Sequence, residues 1–373
     1  MSALEELLGH RRFGMRPGLE NIRKASEALA SPHLRLGKVV HVAGTNGKGQ
    51  VCALLDASLR AAGFSVGRFT SPHLVKVNER FFLNGRMVDD KRLEELAQRV
   101  LPVADNLTYF EALTLMAFCL YAEERVDYTI LETGLGGRLD ATNICRPALT
   151  VITRIGLDHC DWLGGTIAEI AREKAGIAKP GVPLVLGPNS EEVKSLIPAD
   201  FHVEADGDFI AENRATAAKA LEVLGLGAKL ADAVWPGRLS EVGNVVIDGA
   251  HNPPGAEALK TALDRRHPGV KWTLVYGACG DKDIGRVLEI LKPLAGKAYA
   301  VKSLNPRSIN PAELCAVMRD KGFDAGQATL DIVKTIEGPV LVCGSLFLAG
   351  EAMALLGAYP WGKVRFDPEE VLK

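Results

Sequence analysis

The chain has no excess of positive charge: 44 Lys and Arg stand against 46 Asp and Glu, for a formal net charge of −2. No large basic surface follows, which argues against nucleic acid as the partner. Paired cysteines are also lacking. Cys52, Cys119, Cys145, Cys160, Cys279, Cys315 and Cys343 are scattered, none forms a CxxC, and several lie in apolar runs such as Phe118-Cys119-Leu120. Reduced, buried thiols of a cytoplasmic protein are expected, not a zinc site or a disulfide frame. The amino terminus has no signal-peptide layout. The one stretch that needs testing as a membrane span, Pro339 to Tyr359, carries Glu351 in its middle. It divides into a strand at Val340-Leu341-Val342-Cys343 and a helix capped by Ser345, so no membrane partner is expected. Short-period repeats and low-complexity tracts are absent.

What is present is strand–helix alternation. A length of 373 residues exceeds one ordinary core and predicts two or three domains. Apolar strands are expected at Lys38–Ala43, Tyr128–Leu131, Leu149–Thr153 and Pro183–Leu186, with helices at about 47–62, 109–124 and 167–178 between them. After Trp235-Pro236-Gly237-Arg238 a second series begins. Its strands are expected at 244–248, 272–276, 298–301 and 340–343, and its helices at about 254–265, 284–294, 311–321 and 346–355. Such alternation predicts an α/β fold with mostly parallel sheets, split near residue 236 into domains 1–236 and 237–373.

The strongest local signal is Val39-Val40-His41-Val42-Ala43-Gly44-Thr45-Asn46-Gly47-Lys48-Gly49-Gln50. An apolar strand enters a glycine-rich turn, then a lysine, then a helix. Backbone amides of such a turn can surround phosphate oxygens, aided by the helix dipole, and Lys48 supplies a fixed charge. Only two residues separate Gly44 from Gly47, fewer than in the standard phosphate loop.

Gly44-Thr45-Asn46-Gly47-Lys48 resembles the ATP loop of the Mur ligase superfamily. Further motifs narrow the resemblance to the folylpolyglutamate synthases and dihydrofolate synthases: Thr70-Ser71-Pro72-His73-Leu74, Asn78-Glu79-Arg80, Phe110-Glu111-Ala112-Leu113-Thr114, Glu132 through Asn143, Gly156-Leu157-Asp158-His159, Glu173-Lys174-Ala175-Gly176-Ile177, Pro236-Gly237-Arg238, Asp248 through Pro253 and Gly344-Ser345-Leu346. They run in the family's order from about residue 41 to residue 350. One departure is Gln50, where the family usually has Ser or Thr.

The resemblance implies a P-loop ATPase domain followed by a smaller Rossmann-like ligase domain. It implies ATP on Gly44, Thr45, Asn46, Gly47, Lys48, Gly49 and Gln50, with Asn213 at the adenine, Asp248 at the ribose, and Arg238 and His251 at the phosphates. Two magnesium ions would be held by Ser71, Glu132, His159 and Lys174, the last as a carbamate. Ser71, Pro72, His73, Phe110, Asp140 and Ala141 would border the pterin substrate. Glu132, at the carboxyl end of an apolar strand, stands where open α/β sheets hold ligands. Lys174 could otherwise form a surface ion pair with Glu173, and Asn213 could be an exposed helix cap. The implied activity is ATP-dependent addition of L-glutamate to dihydropteroate, to a reduced folate, or to both, through an acyl phosphate, in a cytoplasmic monomer. The competing readings are another Mur-type ligase, acting on peptidoglycan precursors or polyglutamate, and a P-loop ATPase that ligates nothing.

Overall fold

The structure, a computed structural model, describes residues 2–9, 18–227, 229–280 and 282–362. The chain folds as two units. One comprises the chain up to His73 with Val77–Ala233, the other Leu74–Lys76 with the chain from Val234 onward.

The first unit is built on strands β1 (Lys38–Ala43), β2 (Val66–Phe69), β3 (Phe81–Leu83), β4 (Arg86–Met87), β5 (Tyr128–Glu132), β6 (Pro147–Ile152), β7 (Leu184–Leu186) and β8 (Phe201–His202). Its helices are α1 (Ala3–Gly9), α2 (Glu20–Ala28), α3 (Lys48–Ala61), α4 (Asp90–Val100), α5 (Tyr109–Glu124), α6 (Cys160–Leu163), α7 (Ile167–Ala175), α8 (Glu191–Leu196) and α9 (Phe209–Val223). The strands form one sheet in the order β4-β3-β2-β5-β1-β6-β7-β8. All pairs are parallel except β2–β3 and β3–β4. Side chains alternate along a strand. Val40 and Val42 accordingly face the core of α3 and α9, while Val39 joins the opposite core with α5. Burial on both faces explains why these strands read as unbroken apolar runs.

Helix α5 matches its expected bounds because its start is written locally. The Thr108 side chain accepts from the Glu111 amide, and the Glu111 carboxylate accepts from the Thr108 amide. Nearly every residue from Glu111 to Ala122 is buried. Phe118→Ala there should cost about 3–5 kcal/mol of stability, read as a shifted denaturant midpoint with an unchanged slope.

The second unit carries β9 (Ser240–Val242), β10 (Val245–Ile247), β11 (Trp272–Tyr276), β12 (Ala295–Ala300), β13 (Asp324–Gln327) and β14 (Val340–Cys343). Their order is β13-β12-β11-β14-β10-β9, with only β9 antiparallel. Helices α10 (Pro253–Arg266), α11 (Ile284–Leu291) and α12 (Pro311–Asp320) connect strands, and α13 (Leu346–Leu355) follows β14.

Several bounds need correction. Helix α7 stops at Ala175, followed by Gly176 at the cap, and does not continue to 178. Helix α11 tightens into a 3-10 turn at Lys292–Leu294, where Pro293 removes an amide. The strand expected at 298–301 is β12, Ala295–Ala300. Six of the seven cysteines are buried and Cys160 is exposed. Among the described residues no helix is long and apolar enough to cross a membrane.

Candidate active site

Parallel pairing sets the carboxyl ends of β5, β1 and β6 side by side, with Glu132 opposite Val42 and Ala43 opposite Ile152. The glycine loop leaves β1 at this edge and is pinned to the segment after β6. The Thr45 amide donates to the Arg154 carbonyl at 2.9 Å, and Thr45 Oγ1 donates to the Gly156 carbonyl at 3.0 Å. Thr153 Oγ1 donates to the Asn46 carbonyl at 2.7 Å. Gly44 has φ +143°, and a Cβ on it would stand 1.9 Å from Thr153 Oγ1. Glycine is therefore required there twice over, by conformation and by space. Gly44→Ala should weaken nucleotide binding at least about tenfold, measured by titration calorimetry with ADP, while Phe118→Ala should leave the affinity of the folded fraction unchanged.

Lys48 opens α3 directly after Gly47. Its Nζ donates to the Gly44 and Thr45 carbonyls at 3.1 and 3.3 Å and lies 3.9 Å from Glu132 Oε1. Glu132 is buried, and its Oε2 accepts from the Ser71 amide at 3.0 Å. The following bond, Ser71–Pro72, is cis. Lys174, in the last turn of α7 and not in its start or middle, is buried, and its Nζ donates to the Gly44 carbonyl at 2.8 Å. Burial, reinforced by the nearby Lys48 charge, lowers its pKa to about 7. The surface pair expected as the plain alternative is made by others: Glu173 binds Arg138 at 2.7 Å. One carboxylate and two amines thus gather on the glycine loop.

Asp140 is buried in the loop after Glu132. Its Oδ2 accepts from the Gly134 and Leu135 amides at 2.8 and 2.9 Å, and its Oδ1 accepts from the amide and hydroxyl of Thr142. Burial pushes its carboxyl above the usual carboxylate range, against the pull of these bonds. Ala141 follows it, buried. The Phe110 ring lies so close to Gly134 that a Cβ there would be 2.5 Å from its Cζ. His73 Nδ1 accepts from Arg80 Nε at 3.0 Å. His159 caps α6 with φ +53°, half exposed, its Nε2 3.8 Å from Asp158 Oδ2. Asn213 is not an exposed cap. It is buried within α9, whose cap is Asp208, and its Nδ2 donates to Gln50 Oε1 at 2.7 Å.

In the second unit, Asp248 follows β10, buried, with its Oδ2 accepting from the Leu239 amide at 2.9 Å and its Oδ1 from Ala250 at 2.7 Å. Burial raises its pKa, opposed by the Arg238 charge. Arg238 donates to the Gly237 carbonyl at 2.9 Å. His251 Nδ1 donates to the Gly249 carbonyl at 2.8 Å. Asn252 caps α10, with Pro253 in the first turn.

Comparison with known proteins agrees with this layout. The Mur ligase middle domain matches residues 42–184, and the Mur ligase glutamate ligase domain matches residues 237–345. The dihydrofolate synthase/folylpolyglutamate synthase of Bacillus subtilis is 32% identical over 92% of this chain and 96% of its own. The chain belongs to the dihydrofolate synthase/folylpolyglutamate synthase family. Among solved members, E. coli FolC in complex with DHPP and ADP superposes with TM-score 0.85 at 30% identity, over 96% of this chain and 98% of that one. A bifunctional folylpolyglutamate synthase/dihydrofolate synthase with Mn, AMPPNP and L-glutamate bound gives TM-score 0.81 at 29% identity, over the same shares.

As a family member the chain is an ATP-dependent glutamate ligase of the folate series. Among the described residues no three His, Cys, Asp or Glu side chains gather as a metal cage. The donors at Glu132 and Ser71 are oxygens, the chemistry that suits magnesium, which keeps most of its waters and needs few protein ligands. Sequence reasoning passed over Thr153, which shapes the phosphate loop, and His41, which reaches the Asp140 loop through Thr142 at 2.8 Å. A lone imidazole in an otherwise apolar strand was the available signal.

Proposed function

We propose that this folate ligase glutamylates both dihydropteroate and reduced folates through an acyl phosphate. The observation that carries the reading is the meeting, 3.9 Å apart, of Lys48, which opens the helix after β1, and Glu132, which ends the adjacent parallel strand β5. ATP lies with its phosphates on Gly44 to Gln50, and Lys48 Nζ faces the transferring group. An oxygen of the acceptor carboxylate attacks the γ-phosphorus, the bond to the β-phosphate oxygen breaks, and ADP leaves. The amine of L-glutamate then attacks the acyl carbon, the amine proton is lost, and phosphate departs, leaving an amide.

Ser71, Glu132, His159 and Lys174 are the residues that would hold two magnesium ions, whose positive charge would offset that of the γ-phosphoryl oxygens. Lys174 would join them as a carbamate: an amine with a pKa near 7 is neutral often enough to add carbon dioxide, and the product would supply an anionic oxygen. Asn213, Asp248, Arg238 and His251 serve the nucleotide. Ser71, Pro72, His73, Phe110, Asp140 and Ala141 serve the pterin-bearing acceptor. The protein acts as a cytoplasmic monomer.

The test is ADP release with glutamate plus either dihydropteroate or tetrahydrofolate. Stimulation by both supports the reading; stimulation by one removes the dual activity; stimulation by neither removes the folate assignment.

A further inference from the structure

His41 is a buried ionisable group that the reaction above does not use. It stands in the middle of β1, three residues before Gly44, fully shielded from solvent. Its Nε2 lies 2.8 Å from Thr142 Oγ1, and its Nδ1 lies 3.8 Å from Cys145 Sγ. Proton positions follow from the far end of the chain of contacts. Four donors converge on the Asp140 carboxylate: the amides of Gly134, Leu135 and Thr142 and the Thr142 hydroxyl. A carboxylate with four donors is acting purely as an acceptor. The Thr142 hydroxyl has thus given its proton to Asp140 and can only accept from His41, so Nε2 carries the imidazole proton. Nδ1 is left to accept from the Cys145 thiol. Burial lowers the His41 pKa to about 3, in keeping with a neutral ring that carries one proton.

The relay His41–Thr142–Asp140 joins three places. These are the strand that bears the phosphate loop, the Gly134–Leu135 turn just after Glu132, and the far end of the same loop at Thr142. The phosphate loop has separate anchors in Thr153, Thr45 and Gly156. Arg138 and Asn143 tie the same loop to the end of α7, so loss of the relay frees its height against β1 and leaves the nucleotide's cradle intact.

We propose that His41 is a positioning residue for the pterin-bearing acceptor, acting through Thr142 and Asp140 to hold the 134–142 loop at a fixed height against the phosphate loop. The inference rests on the folate-ligase reading and deepens it. Buried chains of hydrogen bonds polarise one another, so a cut at either link removes the same support.

The test uses His41→Leu, Thr142→Val and the double variant, with His41→Gln as the conservative replacement, since its amide offers an N–H near the place of Nε2. KM for dihydropteroate and KM for ATP are measured by ADP release with glutamate, and each variant's Tm is recorded. Each single cut should raise the acceptor KM about tenfold and leave the ATP KM within about twofold, as expected for one coupled network. The double variant should be no more than about twofold worse than either single, and His41→Gln should lie within about threefold of the wild type. The proposal is overturned if ATP and acceptor KM rise together, if the two single effects multiply in the double variant, or if His41→Leu leaves the acceptor KM unchanged. Should His41→Leu fail to fold, an unchanged acceptor KM in Thr142→Val overturns it equally. A wild type that shows no acceptor-stimulated ADP release refutes the folate reading instead, which keeps the two failures apart.

Discussion

Glu132→Gln should lower the rate of amide formation about a thousandfold, in the range seen when a charge-stabilising group is removed from a reaction centre. The carboxamide keeps the shape and can still accept from the Ser71 amide, now 3.0 Å from Oε2, so the fold should survive. What disappears is the negative charge that faces Lys48 at 3.9 Å, and with it the carboxylate oxygen proposed for the divalent cations. ADP affinity without metal should change only a few-fold, because the glycine loop keeps every bond to the 153–156 segment. Single-turnover formation of glutamylated product, titration calorimetry with ADP and a melting curve read these three quantities. A folded variant with near-wild-type turnover would remove Glu132 from the chemistry.

Lys174→Met should move activity and stability in opposite directions. Activity should fall by about a hundredfold or more if the proposed carbamate oxygen is lost with the amine. Stability of the ligand-free protein should rise. The folded-state pKa is about 7 against an ordinary 10.5. Between those values the unfolded chain holds a proton that the folded chain has released, so stability grows with rising pH across that window. Below pH 7 the full cost of burying a charged amine is present. Methionine abolishes that cost, and the Gly44 carbonyl keeps the Lys48 donor. The variant's Tm should exceed the wild type's at pH 6.5, and the wild type's Tm should gain on it from pH 7 to 10. Removing dissolved carbon dioxide should slow the wild type reversibly. An active Lys174→Met, or indifference of the wild type to carbon dioxide, would contradict the carbamate.

Strands buried on both faces and helices with written caps were legible in the sequence. Helix α5 with its Thr108–Glu111 box, strand β11 and strand β14 all lie at their expected bounds. Strand β2 was not legible, because Gly67 and a buried Arg68 interrupt its apolar pattern. The β3–β4 hairpin and β9 are too short to show a period, and β13 holds Asp324, Gly326 and Gln327. At the site, the phosphate loop and Glu132 could be read from local chemistry, a glycine turn before a helix and a carboxylate ending a strand. Lys174 looked like half of a surface ion pair, and only the packing of α7 against the loop buries it. Asn213 and Gln50 are 163 residues apart and meet only through the packing of α9 on α3, a contact no short window contains. His41 gave no motif of its own.

The proposed mechanism passes the γ-phosphoryl group to the acceptor's carboxylate at the Lys48–Glu132 centre. Its most direct test is isotope transfer from dihydropteroate labelled with oxygen-18 in its carboxylate. Each inorganic phosphate released in a glutamate-dependent turnover should carry one labelled oxygen. Phosphate whose new oxygen comes from water would mean hydrolysis without acyl phosphate, and transfer to the carboxylate would be excluded.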